Sequence, residues 1–156
     1  MDAILALEDG RVFRGEGFGH TGTSTGEACF NPSMTGYQEV LTDPSYRGQI
    51  VTMTYPLIGN YGVNAEDAES REPHVRGFVV GELCRTPSNF RSQQTLQDYF
   101  VEHKIIGIEG VDTRALTKHL RSAGAMRACL TTELEKDQAI EQALASPSMA
   151  GMDYVQ

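Results

Sequence analysis

Cysteine, positive charge and long hydrophobic runs are all scarce in this sequence. The three cysteines form no CxxC pair, and an odd number of thiols fits a reducing compartment better than a disulfide framework. The apolar stretches, such as Ala3–Leu7, Ile50–Met53 and Phe78–Val80, are far shorter than the ~20 residues needed to span a bilayer. The N-terminal residues Met1–Ala3 are acidic rather than basic, unlike a secretory signal. These absences predict a cytoplasmic protein with free thiols.

Acidic residues outnumber basic ones. Thirteen lysines and arginines stand against 21 aspartates and glutamates, which gives a net charge of −8. Binding to a nucleic acid rests on clustered cations that displace counterions from the phosphates. We therefore expect neither a nucleic acid nor an anionic membrane as a partner.

The 156 residues suffice for one domain, and their composition is that of a folded protein. Forty per cent of the residues are hydrophobic and 22% are charged, which is too apolar for a disordered chain. A chain of this length buries roughly two thirds of the surface that its unfolded form exposes. We therefore expect it to fold without a metal or a disulfide.

The first half of the chain has the pattern of strands and turns. Asp9-Gly10 lies between the apolar segments Ala3–Leu7 and Val12–Arg14, and this dipeptide tolerates the backbone angles of a tight hairpin. The pattern predicts three further strands, at Glu27–Asn31, Gln49–Tyr55 and Val75–Leu83. It also predicts one or two helical turns at Gly36–Leu41, which Pro44 ends.

The second half alternates between helical and extended patterns. It predicts helices at Thr95–His103, Asp112–Gly124 and Glu135–Ala145, and strands at Ile105–Ile108 and Met126–Thr131. Asp112 is the expected N-cap of the middle helix, and Gly124 its end. In the last helix we expect Ile140 and Leu144 to face inward.

This order of elements predicts a mixed β and α domain over residues 1–145. Residues 146–156 contain proline and glycine without an apolar face, which is typical of a linker.

One motif matches the dinucleotide-binding fingerprint GxGxxG, at Gly17–Gly22. That fingerprint works because its glycines lead into a helix whose N-terminus receives a pyrophosphate. Here the following segment, Thr23–Gly26, is turn-like and leads to another strand. We interpret the motif as a glycine-rich connection within the sheet.

The thiols and imidazoles do not form a recognisable catalytic or metal-binding pattern. Cys29 and Cys129 fall in predicted strands and Cys84 directly follows one, whereas a catalytic thiol needs an exposed, electropositive setting. The histidines lack the close spacing of a zinc site. The residues considered are Cys29, Cys84 and Cys129, and His20, His74, His103 and His119. We predict buried structural cysteines, no catalytic residue and no metal site.

Polar and turn-forming residues are densest between Asn31 and Asn64, where hydroxyls, amides, four tyrosines and three prolines lie in loops that flank two strands. Such loops on a rigid scaffold often present polar groups to a ligand. Alternatively, they are Asx and Ser turns that satisfy their own backbone. The acidic run Glu66–Glu69 has the pattern of a solvated loop, although it could also hold a hard cation.

Several long blocks of the sequence resemble one known family. They include ALEDGRVFRGEGFG, GEACFNPSMTGYQEVLTDPSYRGQIVTMTYPLIGNYGVN, a block around VDTRALTKHL, and the terminal GMD. From about residue 3 onward the chain is similar to the N-terminal domain of the small subunit of glutamine-hydrolysing carbamoyl phosphate synthetase.

The resemblance implies a three-layer β/β/α fold of the swivelling type and a non-catalytic role. In that family a C-terminal class I glutamine amidotransferase domain with a Cys-His-Glu triad releases ammonia. The large subunit uses two ATP, with Mg expected there, to make carbamoyl phosphate from bicarbonate for arginine and pyrimidine biosynthesis. The expected partners are the large subunit, the chain's own amidotransferase domain and glutamine. The serine of the TDPSY block contributes to the glutamine site, which implies Ser45 as a substrate-binding residue here.

Two alternatives come from other classes of protein. One is a free-standing enzyme or carrier on a similar β/β/α fold, which would use a thiol or a phosphohistidine with a shifted pKa. The other is a regulatory sensor of a small molecule, suggested by the polar loops alone.

Overall fold

Seven strands close into a barrel in the computed structural model, which describes residues 1–32, 37–54, 73–81 and 96–147. The strands are β1 Asp2–Leu7, β2 Val12–Gly19, β3 Thr23–Asn31, β4 Gln49–Met53, β5 Gly77–Val79, β6 Ile106–Glu109 and β7 Met126–Thr131. The α-helices are α1 Tyr37–Thr42, α2 Leu96–Glu102, α3 Thr113–Ala123 and α4 Lys136–Ala145, and a 3₁₀ turn spans Pro44–Tyr46.

The order of strands around the barrel is β1-β2-β6-β5-β4-β3-β7. Strands β3, β4, β5 and β6 are parallel neighbours, with Ala28 opposite Ile50 and Val79 opposite Ile108. The remaining pairs are antiparallel, and β7 closes the barrel between β1 and β3. The carboxyl ends of the four parallel strands therefore meet at one rim, here called the carboxyl rim.

Alternate side chains of the strands fill the barrel, because successive residues of a strand point to opposite faces. These buried residues, with Val111 after β6 and two leucines of α3, form the barrel core: Ala3, Leu5, Leu7, Phe13, Ala28, Ile50, Val79, Ile106, Ile108, Val111, Leu116, Leu120, Met126, Ala128 and Leu130.

Helix α3 lies across the carboxyl rim. The Arg121 guanidinium sits 5.4 Å from the ring centre of Phe30. His119 Nε2 is 2.6 Å from Asp9 Oδ2 in the β1–β2 hairpin. Helix α3 thus closes one mouth of the barrel.

A second cluster, the outer core, packs α1 and α2 on the outside of the barrel. It contains Phe18, Val40, Leu41, Val51, Met53, Val75, Phe78, Val80, Tyr99, Phe100 and Ile105, with Cys29 and Tyr46 packed against it. Phe100 is its centre: its ring stacks on Phe18 at 5.2 Å and meets Phe78 edge-on at 5.5 Å.

Helix α4 packs against the outer faces of β1 and β7 through alanines. Ala139 and Ala143 are fully buried, whereas Ile140 is half-buried and Leu144 is 49% exposed. The prediction that Ile140 and Leu144 face inward was therefore wrong for Leu144, whereas Ile140 packs against the buried cluster. The small alanine stripe lets the helix lie close to Ile4 and the buried thiol of β7, which leaves the larger side chains at the border of the contact.

Two local signals in the sequence are confirmed in detail. Gly10 has φ +94°, and the Asp9 carboxylate accepts from the Arg11 amide at 3.1 Å, so the hairpin turn forms as predicted. Asp112 caps α3 by accepting from the Ala115 amide at 3.0 Å, and Gly124 ends the helix.

Arg127 ties three parts of the chain together. Its guanidinium donates to the Glu8 carboxylate at 2.7 Å and to the carbonyl oxygens of Leu144 and Ser146 at 3.0 and 3.2 Å. This holds the pKa of the Glu8 carboxyl below its usual value. The end of α4 is thereby fixed beside the β1–β2 hairpin.

A mixed α/β domain with a strand-rich first half is confirmed, with shorter bounds for some elements. The predicted strands Gln49–Tyr55 and Val75–Leu83 are confirmed as β4 and β5, and Tyr55, Leu83 and Thr95 lie outside the described residues. The three-layer β/β/α arrangement stays a prediction. In the described parts of the chain, no helix is both long and apolar enough to cross a membrane.

Candidate functional site

Ser45 lies in the 3₁₀ turn between α1 and β4. Pro44 disfavours helical geometry in the residue before it, and Asp43 is extended at φ −76° and ψ 119°. This places the Asp43 carboxylate over the turn, where Oδ1 accepts from the Ser45 amide at 2.9 Å. Ser45 itself is exposed. The sequence TDPSY therefore presents a hydroxyl to solvent from a capped turn.

Asp43 is negatively charged at neutral pH. The amide of Ser45 first, and its hydroxyl second, hold the pKa of the Asp43 carboxyl below its usual value, and the charge of His74 lowers it further. Both donors of Ser45 thus favour the carboxylate form.

The turn is anchored on the outer face of the barrel by Tyr46. The Tyr46 hydroxyl accepts from Asn31 Nδ2 at 2.6 Å, and its ring packs against the outer core. Backbone bonds close the turn itself: the Tyr46 amide donates to the Asp43 carbonyl at 3.0 Å, and the Arg47 amide to the Pro44 carbonyl at 3.1 Å. Ser45 therefore stands on a fixed support.

The fold also brings His74 to this turn. Its amide donates to the Leu41 carbonyl at 2.8 Å, and its Nδ1 lies 3.5 Å from a guanidinium nitrogen of Arg47. The sequence carried no signal for this contact, because His74 lies 27 positions after Arg47 in the chain and matches no motif. The candidate site thus combines an acid, a hydroxyl and two basic side chains.

The described thiols are not placed as nucleophiles. Cys29 on β3 is half-buried and donates to Gln49 Oε1 at 3.0 Å. Burial, and secondarily the carboxylate of Glu27, raise the pKa of Cys29 to about 12. Cys129 on β7 is fully buried, and burial raises its pKa to about 11. Cys84 lies outside the described residues.

The histidines are dispersed. His20 follows β2, His103 follows α2 with its ring 4.4 Å from that of Tyr99, and His119 pairs with Asp9. Among the described residues, no three His, Cys, Asp or Glu side chains are grouped as metal ligands. The run Glu66–Glu69 and the last part of Asn31–Asn64 lie outside those residues.

The GxGxxG motif covers the end of β2 and the turn that leads to β3, and the segment Thr23–Gly26, expected to be turn-like, belongs to β3. Gly17 and Gly19 belong to β2, and β3 begins at Thr23 without an intervening helix. The amide of Gly19 donates to Gln97 Oε1 at 2.8 Å and that of Gly22 to Thr132 Oγ1 at 2.8 Å. These amides are therefore already used within the protein.

Two open cavities of about 410 and 610 Å³ flank this region. The first lies between the end of β2 and Gln97, and the second lies at the start of α4. Neither is lined by Ser45 or by a cysteine that the structure describes. The described residues thus define a class of protein: an α/β barrel domain with inert thiols that presents a polar turn on its outer surface.

Comparison with known proteins agrees with this class. The family described as "Carbamoyl-phosphate synthase small chain, CPSase domain" matches residues 5–130. The chain is 66% identical over 155 residues to the carbamoyl phosphate synthase small chain of Akkermansia muciniphila, covering 99% of this chain and 42% of that protein. It is 57% identical to the small chain of Syntrophotalea carbinolica over 156 residues, with coverage of 99% and 42%. It is 59% identical to that of Synechocystis sp. over 154 residues, with coverage of 98% and 40%.

The chain belongs to the family of the carbamoyl-phosphate synthase small chain, CPSase domain. It spans about two fifths of the length of these curated relatives and corresponds to their N-terminal part.

Proposed function

We propose that this chain is the non-catalytic support domain of a carbamoyl phosphate synthase small chain, and that it contributes Ser45 to a glutamine site completed by a following amidotransferase domain. The observation that carries the proposal is the exposed Ser45 on a turn fixed by Asp43 and Tyr46. A domain that only supports the glutamine site needs an exposed hydroxyl that can contact the ligand, but it needs no nucleophile of its own.

The chemistry of glutamine suits the turn. Glutamine carries a carboxylate, an ammonium group and an amide, and each can bond to a hydroxyl that both donates and accepts. Because Ser45 is exposed, the rest of the pocket must come from another surface that covers the turn. An adjoining amidotransferase domain would provide that surface.

The second partner is the large synthetase chain, which would hold ATP and Mg and make carbamoyl phosphate from bicarbonate and the released ammonia. Docking of standard size would cover about 800 Å² on each partner. The barrel with α1, α2 and α4 on its outside is compatible with the three-layer β/β/α arrangement, which we retain as part of the proposal.

The test is Ser45→Ala in this chain joined to the segment that follows the matched region in the Akkermansia muciniphila relative. Loss of one hydrogen bond is worth about 1 kcal/mol, so the KM for glutamine should rise about five- to tenfold with kcat within about twofold. Steady-state release of glutamate measures both.

Ser122→Ala is the matched control, because Ser122 is an exposed serine on α3 at the carboxyl rim. It should leave the KM unchanged. Equal values of the KM for Ser45→Ala and the unaltered protein would remove Ser45 from the glutamine site.

A further inference from the structure

Helix α3 carries only positive charges in an acidic protein. Between Thr113 and Thr132 the sequence contains three arginines and one lysine but no aspartate or glutamate, although the whole chain has a net charge of −8. Three of these cations, Arg114, Lys118 and Arg121, are exposed residues of α3. They form a local positive surface, here called the basic face, on a protein whose overall charge is negative.

The three cations lie on one side of the helix, because residues three and four positions apart are neighbours on a helical surface. A rise of 1.5 Å per residue separates Arg114 from Lys118 by about 6 Å and Lys118 from Arg121 by about 4.5 Å along the axis. The other side of α3, with Leu116 and Leu120, is buried in the barrel core. The basic face is therefore on the solvent side of α3.

No carboxylate in the described part of the chain neutralises the basic face. The ion pairs within the described ranges do not involve Arg114, Lys118 or Arg121. Arg121 lies 5.4 Å from the ring centre of Phe30 instead. Asp112, the acid directly before the helix, is used as its cap and accepts from a backbone amide at 3.0 Å. The three positive charges are thus available to a partner.

This arrangement of charges lowers the stability of the helix. Like charges three or four positions apart repel each other. A cation in the first turn, where Arg114 lies, is also disfavoured by the positive end of the helix dipole. A partner that brings carboxylates to the basic face would offset both effects. Local rules of stability are broken in this way mainly at functional sites.

We propose that the basic face of α3 is a docking surface for an acidic segment of another polypeptide, whose carboxylates pair with Arg114, Lys118 and Arg121. A helix with carboxylates at intervals of three and four residues has the complementary spacing. The acidic remainder of this chain would repel a long phosphate backbone, whereas a short acidic segment meets only the local positive surface. The inference goes beyond the proposed function and does not depend on it, because the Ser45 turn lies on another element.

The test uses an alanine-based helical peptide with three glutamates on one face, spaced by four and three residues, titrated into the isotopically labelled 156-residue chain. Two-dimensional NMR spectra should show amide shifts within Thr113–Ala123. The Kd should rise about three- to tenfold in Arg114→Gln/Lys118→Gln, because two exposed ion pairs are lost.

Two matched controls isolate the geometry from the charge. Arg14→Gln/Lys136→Gln removes the same charge from exposed residues outside α3 and should leave the Kd within about twofold. A second peptide carries its three glutamates five residues apart, which spreads them around the helix, and should bind about threefold more weakly or less. Equal Kd values for the two double variants, equal values for the two peptides, or shifts outside α3 would overturn the inference.

Thermal unfolding of the free chain separates docking from a structural role. Arg114→Gln/Lys118→Gln should unfold at the same temperature as the unaltered chain or a few degrees higher, because repulsion within α3 is relieved. A drop of several degrees would assign the cations to the fold itself and overturn the inference. A 20-base-pair DNA duplex or phosphatidylserine vesicles that bind the basic face more tightly than the first peptide would overturn the choice of an acidic polypeptide.

Discussion

Replacement of Phe100 by alanine should lower the free energy of unfolding by about 3–5 kcal/mol. Phe100 is fully buried at the centre of the outer core, and three aromatic rings lie within 6.4 Å of its own. Its removal would leave a cavity that Phe18, Phe78 and Tyr99 line, and helix α2 would lose its main contact with the barrel. Denaturant titration monitored by far-UV circular dichroism measures the loss.

Val101→Ala is the matched control on the same helix. Val101 is 49% exposed, so the change should cost less than about 1 kcal/mol. Equal losses for the two variants would contradict the assignment of Phe100 as the centre of the outer core.

The thiols of Cys29 and Cys129 should react with iodoacetamide about two to three orders of magnitude more slowly than an exposed thiol at pH 8. With pKa values of about 12 and about 11, the thiolate fractions at that pH are about 10⁻⁴ and 10⁻³, against about 0.2 for a thiol of pKa ~8.5. Burial disfavours the charged form, which is the reactive one. Mass spectrometry of the two peptides follows each cysteine separately.

The same peptides alkylated in guanidinium chloride provide the control, since unfolding should restore the rate of a free thiol. Rapid modification of either cysteine in the folded protein would favour the alternative of a thiol enzyme. It would also contradict the placement of these side chains on β3 and β7.

Local signals in the sequence predicted local structure well. The Asp9-Gly10 turn and the Asp112 cap depend on residues within three positions of each other, and both formed as expected. The inward face of α4 was predicted correctly for Ile140 but wrongly for Leu144, because the pattern identifies an apolar stripe but not which of two adjacent stripes contacts the sheet most closely. Ala139 and Ala143 contact the sheet because their small side chains let the helix approach it closely.

Closure of the barrel could not be predicted from the sequence. It depends on β7 pairing with β1 and β3, from Ala28 opposite Met126 to Ile4 opposite Thr131, which are 98 and 127 positions apart along the chain. The close packing of β2 on β6 could not be predicted from the sequence either. A Cβ on Gly107 would lie 2.6 Å from Cε2 of Phe18, so the Phe18 ring requires a glycine at position 107.

The candidate site was predicted through a resemblance rather than through physical reasoning. Residues alone indicated polar loops around Asn31–Asn64, and the family resemblance indicated Ser45 within them. The roles of Asn31 and His74 became visible only in the structure, because their contacts with the turn are tertiary.

The central claim is that this chain supports a glutamine site but does not cleave glutamine. The most direct measurement compares glutamate release by the 156-residue chain with release by the same chain joined to the following segment of the Akkermansia muciniphila relative. The account predicts release by the joined protein and none above the buffer background by the chain alone. Glutamate release by the chain alone, abolished by iodoacetamide, would contradict it.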